Sequence, residues 1–89
     1  MQVLTMDMSK IKEMLDELIE DRTVPKNVRT AIEDARKGLD NENQEMSVRI
    51  NHAISILDEV ANDPNIPIYS RTHIWNIVSM LEVENEKMK

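Results

Sequence analysis

Acid, base or metal chemistry in this chain would fall to two histidines, His52 and His73, and to a carboxylate pair that occurs twice in the same setting, Asp16-Glu17 and Asp58-Glu59. A nucleophilic site needs a serine or threonine hydroxyl held against a histidine, and the chain offers only a weak signal for one. A di-metal carboxylate bundle carries glutamate three residues before each ligating histidine. Arg49 and Ser70 stand there instead. Neighbouring residues on a helix diverge by about 100°, so neither carboxylate pair aims both groups at one ion, and each is expected to solvate a helix face. Gly38 is the only glycine and there is no cysteine. Phosphate-cradling loops, thiolate metal sites and catalytic thiols are thereby excluded. The expectation is a protein without cofactor or metal, and not an enzyme.

The basic residues allow a different chemistry. Asp21 with Arg29, and Asp63 with Arg71, flank two turns where each pair is expected to form a charge-assisted lock. Arg22, Lys26, Arg29 and Arg71 are also the residues an RNA phosphate would meet, which makes an accessory nucleic-acid-binding protein the alternative reading. The formal net charge of −6 opposes it, since phosphate backbones are drawn to net positive surfaces.

Four stretches with apolar residues at helical spacing carry these groups. The first runs from about Asp7 to Asp21 through Met8, Ile11, Leu15 and Leu18. The second starts at Pro25, as proline suits the first helical turn, and presents Val28, Ala31, Ile32, Ala35 and Leu39. Gly38 and the polar run Asp40 to Asn43 mark a loop, with Asn43 placed to cap a third helix from about Glu45 to Asn62. The fourth runs from Pro67 to about Glu82, and residues 83–89 form a charged tail expected to fray. Methionines at 8, 14, 46 and 80 fit core-filling roles. No strand pattern and no long apolar run is present, so one domain spanning 1–89 is expected, without membrane association and in the cytoplasm.

The four helices read as two copies of one hairpin, about 7–39 and about 45–82. Leu15, Asp16, Glu17, Asp21, Pro25, Arg29, Thr30, Ile32 and Leu39 recur 42 residues later as Leu57, Asp58, Glu59, Asp63, Pro67, Arg71, Thr72, Ile74 and Leu81. The unit resembles a HEAT-like hairpin, but two units are fewer than the roughly three that a solenoid needs. Closure is the better solution: an all-α, antiparallel up-and-down four-helix bundle built from two duplicated αα-hairpins.

The run LDELIEDRTVPKNVR, with SVRI, AISILDE, NDPNIP and RTHIWNIV, resembles an archaeal family of uncharacterised small proteins, group zero-one-four-seven. The resemblance covers about Ser9 to Glu82. It implies a small helical bundle in an archaeal cytoplasm, and no activity, cofactor or catalytic residue comes with it.

The two copies differ most informatively where Lys26 becomes Ile68, Asn27 becomes Tyr69, Glu33 becomes Trp75 and Arg36 becomes Val78. Trp75 and Ile68 fall about 150° from the fourth helix's core face, which makes this helix apolar on two sides. Val3, Leu4 and Met6 are the internal cover that the chain offers; a second copy of the chain or another protein is the external one. Aromatic residues are enriched at the centres of interfaces. The leading expectation is therefore a non-catalytic protein-interaction domain, homodimeric or bound to another protein, using Ile68, Tyr69, Trp75 and Val78.

Overall fold

Proline decides where two of the helices begin. The computed structural model describes residues 3–87, with side chains from residue 8 onward. Its elements are α1 (Val3–Ile19), α2 (Lys26–Gly38), α3 (Met46–Ala61) and α4 (Ile68–Lys87). Pro25, at φ −56° and ψ 149°, is the last non-helical residue before α2, and α4 starts directly after Pro67. The pyrrolidine ring holds φ in the helical range and removes an amide that a helix start leaves unpaired. No strand occurs among the described residues.

The helices close into a ring in which α1 and α3 each pack on both α2 and α4, with no diagonal contact among the described residues. Short connections make chain neighbours antiparallel, which gives the up-and-down four-helix bundle. Leu15, Leu18, Ile32, Leu57, Ile74 and Ile77 share one buried cluster, as their spacing predicts, while Ile54 packs on its edge. Val24 and Ile66, at equivalent places in two turns, are also buried. They plug one end of the bundle and lie on no helix face, so periodicity does not find them.

All three turns use one device. The Oδ1 of Asp21, Asn41 and Asp63 accepts the amide of Thr23, Asn43 and Asn65 at 2.9, 3.0 and 2.8 Å. Eight residues further on, the Nε of Arg29, Arg49 and Arg71 donates to the carbonyl of Val24, Gln44 and Ala61 at 3.1, 2.8 and 2.8 Å. The expected Asp-Arg lock is thus made by two separate parts: the carboxylate holds amides and the guanidinium holds carbonyls. Ala61 is the last residue of α3, where carbonyls lack helical partners, whereas Val24 and Gln44 lie in the turns that precede α2 and α3. Asn43 is not the cap of α3; Glu45 takes that position without a side-chain bond.

Two boundaries and one glycine also differ from expectation. α1 begins at Val3 rather than about Asp7, because no proline or glycine precedes Asp7 to stop it. α4 continues through the expected tail to Lys87. Glu84 lies on its packed face, 8% exposed, with the Lys87 ammonium 3.1 Å from its carboxylate. The Asn85 amide donates to Asn51 of α3 at 3.1 Å. Gly38 has no positive φ. A Cβ there would stand 3.1 Å from His52 Cδ2, so this glycine serves the approach of α3 to α2 rather than a left-handed cap.

Candidate interaction site

The outward side of α4 follows from its sequence at 100° per residue. Ser70, Ile74, Ile77, Leu81 and Glu84 turn inward, which leaves Ile68 and Trp75, two turns apart, on the opposite side. Ile68 is 76% exposed and Trp75 52%. Thr72 and Ser79 complete the stripe between and beyond them, and Glu82 and Val83 continue it toward the C-terminal end, all exposed. Val3, Leu4 and Met6, the internal cover expected from sequence, have side chains outside the described residues.

Val78 does not belong to this surface. It is 8% exposed and part of the core. The 42-residue register supplies the reason. In the first hairpin the α1–α2 seam is closed by charge: Arg36 donates to Asp16 at 3.2 Å and to Asp40 at 2.7 Å, and Lys12 donates to Asp40 at 2.6 Å. The Lys12 contact, with Arg36 behind it, holds the Asp40 carboxyl below the ordinary carboxylate range. Ile54 and Val78 occupy the positions of Lys12 and Arg36 in the second hairpin. There Val78 is buried and Ile54 packs half-buried against the core.

Tyr69 is exposed along its ring, but its hydroxyl is engaged. It lies 2.6 Å from Thr23 Oγ1, which itself donates to Asp21 Oδ1 at 2.6 Å. With the Thr23 hydrogen committed to Asp21, the tyrosine is the donor. These Thr23 contacts hold the Asp21 carboxyl below its ordinary value, with Tyr69 and Arg29 adding to the effect. Tyr69 is thereby a strut from α4 to the first turn as well as the edge of the apolar stripe.

The structure does not gather the four basic residues. Arg29 and Arg71 turn to backbone carbonyls, Arg71 reaching Asp63 O as well at 3.1 Å, which leaves Arg22 and Lys26 as the exposed members. His52 is exposed beside Gly38. His73 Nε2 lies 3.6 Å from a Glu17 carboxylate oxygen, and Ser70 precedes it by one helical turn. That set has the residue types of a nucleophilic triad but not its geometry. Ser70 is fully buried and its Oγ has no hydrogen-bond partner, whereas an activated hydroxyl must be bonded to its base. Among the described residues no group of three His, Cys, Asp or Glu side chains is placed to hold a metal, and no helix is long and apolar enough to cross a membrane.

A small all-helical bundle with one aromatic, outward-facing helix edge is the class that this fold and surface define. The comparisons with known proteins bear on the fold and the family. The sequence profile of Uncharacterised protein family (UPF0147) matches residues 2–83, and the chain belongs to that family. It is 55% identical over 69 residues to a UPF0147 protein of Methanocaldococcus jannaschii, covering 78% of this chain and 74% of that one. A Thermoplasma volcanium member is 45% identical over 83 residues, with 90% and 93% covered. The crystal structure of a UPF0147 protein from Thermoplasma acidophilum superposes with a TM-score of 0.89 at 40% identity, over 94% of this chain and 99% of that one.

Proposed function

We propose that this protein is a non-catalytic interaction module that pairs with a second copy of itself through the outward side of α4. The observation that carries the reading is Trp75. A tryptophan 52% exposed on the side of a helix opposite the core has no pocket in a closed four-helix ring, and its counterpart in the first hairpin is the exposed Glu33. Large aromatic side chains left on a surface beside other apolar groups mark contact sites.

The layout of the stripe favours a second copy. Ile68 and Glu82 lie at equal spacing on either side of Trp75. Two α4 helices crossing antiparallel at Trp75 place Glu82 of one chain beside the start of α4 of the other. That first turn contains no acidic residue, and the positive end of the helix dipole receives the carboxylate. A twofold pairing makes the contact twice.

Light scattering over a concentration series tests the proposal. The parent protein is expected to rise from the mass of one chain toward two. Trp75→Glu, which installs the residue type of the first hairpin, is expected to stay at one chain with unchanged helical circular dichroism. A Trp75→Glu protein that still pairs would place the contact elsewhere. The nucleic-acid alternative has less support, since Arg29 and Arg71 are engaged internally; salt-sensitive RNA binding lost on changing Arg22 and Lys26 would favour it.

A further inference from the structure

The cleft between α1 and α4 contains a feature that pairing through Trp75 does not use. A hollow of about 230 Å³ is lined there by Glu17, Leu18, Asp21, Tyr69, Ser70 and His73. Its counterpart between α3 and α2 is formed, in the 42-residue register, by Glu59, Val60, Asp63, Asn27, Val28 and Ala31. The acidic side chains recur in both clefts. The α4 side of the hollow does not: Val28 is replaced by Ser70, and Ala31 by His73.

One of these replacements disfavours folding as it stands. Ser70 is 0% exposed and its Oγ has no hydrogen-bond partner in the protein. Buried hydroxyls are almost always bonded, and each exception calls for a cause. Valine at the equivalent position is 1% exposed and leaves nothing unsatisfied. The unpaired hydroxyl, the wall of the hollow and the two carboxylates at its rim occur together in one cleft and not in the other.

We infer that this hollow binds the protonated primary amine of an aliphatic chain, as a free amine or a lysine side chain. The two carboxylates select a cation. A metal fits poorly, because no three metal-binding side chains converge among the described residues. An ammonium group has three donors to distribute; Glu17, beside His73, and Asp21, whose Oδ1 already holds Thr23, bring carboxylate oxygens to the rim, and the buried Ser70 hydroxyl is the unpaired acceptor in the wall. Leu18 and the Tyr69 ring offer the attached methylenes an apolar and aromatic surface, with cation–π attraction from the ring. The hollow is smaller than the roughly 300 Å³ at which drug-sized sites begin. That suits one chain end rather than a ring system.

The test is an NMR titration of the full chain carrying Trp75→Glu, so that its result does not depend on pairing. Added 1,4-diaminobutane is expected to give saturable shifts of the Glu17, Asp21, Ser70 and His73 amides. Tetramethylammonium at equal ionic strength, with no N–H to donate, is expected to give none. The amide of Nα-acetyl-lysine is the second arm: tighter binding than the diamine assigns the site to a partner's lysine, weaker binding to a free amine. Glu17→Gln and Ser70→Ala, with unchanged amide spectra elsewhere, are expected to weaken the diamine about tenfold each. Shifts that do not saturate, that tetramethylammonium reproduces, or that survive both substitutions would overturn the inference.

Discussion

Where the first hairpin closes its seam with Lys12, Asp16, Arg36 and Asp40, the second presents Ile54, Asp58, Val78 and Glu82, and the backbone in both is the same helix, turn and helix. The charged seam lies on the surface and orders long side chains for a small return. Its apolar equivalent adds Val78 to the core. The outer sides diverge in the same direction: Lys26 and Glu33 on α2 are solvated, whereas Ile68 and Trp75 stand at those positions on α4. One scaffold has therefore kept its first half closed by polar contact and turned its second half toward apolar contact. The repeated positions show what the fold requires; of the changed ones, Val78 joins the core while Ile68 and Trp75 remain exposed.

The core is where the two halves should respond alike. Leu15 and Leu57 are equivalent and both 0% exposed, so truncation of either to alanine is expected to cost about 2–5 kcal/mol in denaturant unfolding. A pair of values differing by more than about 2 kcal/mol would mean that the hairpins are not energetically equivalent.

Ser70→Val imposes the first hairpin's residue on the second and should raise stability by about 1 kcal/mol, because it removes an unpaired buried hydroxyl. A thermal midpoint that falls instead would indicate a site too tight for the added methyl. Gly38→Ala tests the packing reason for the glycine. Helix propensity favours alanine by about 1 kcal/mol, but the contact with His52 offsets it, so the change is expected to be near neutral. In a His52→Ala background the same substitution should recover about 0.5–1 kcal/mol.

Much of this architecture was legible in the chain. Apolar spacing and the two prolines located the helices, and the 42-residue repeat identified the hairpins. The parts that were missed share a cause: they depend on what faces a residue rather than on its own pattern. Val78 reads as part of the outer interaction surface until the charged seam around its equivalent Arg36 is seen, and Glu84 reads as tail until Lys87 and the packed end of α4 are in place. The turn device was present as Asp21-Arg29, Asn41-Arg49 and Asp63-Arg71, each eight residues apart. Its middle copy falls outside the 42-residue register, so the hairpin repeat does not reveal it. The exposure of Trp75 was inferable from helix angle alone, whereas the hollow beneath Tyr69 needed the approach of α1 to α4.

The smallest expected effect concerns acid. Asp21 and Asp40 have folded carboxyls held below their ordinary value of 3.8 by Thr23 and by Lys12 respectively. A depressed folded value stabilises the native state above the unfolded value, and that contribution is lost as pH falls through the folded value. Stability is thus expected to hold from neutral pH down to the carboxylate range and to fall below it. Thr23→Val should reduce the part due to Asp21 and leave that of Asp40 in place. An unchanged Asp21 titration in that variant, followed by NMR, would contradict the assignment.

Trp75 is the only tryptophan, so its fluorescence reports directly on whether the outward side of α4 is covered in solution. On dilution the account predicts that its emission moves from the blue-shifted position of a covered indole to the red-shifted position of a hydrated one, with helical content constant. An emission maximum at the hydrated position at every concentration would contradict pairing through this face.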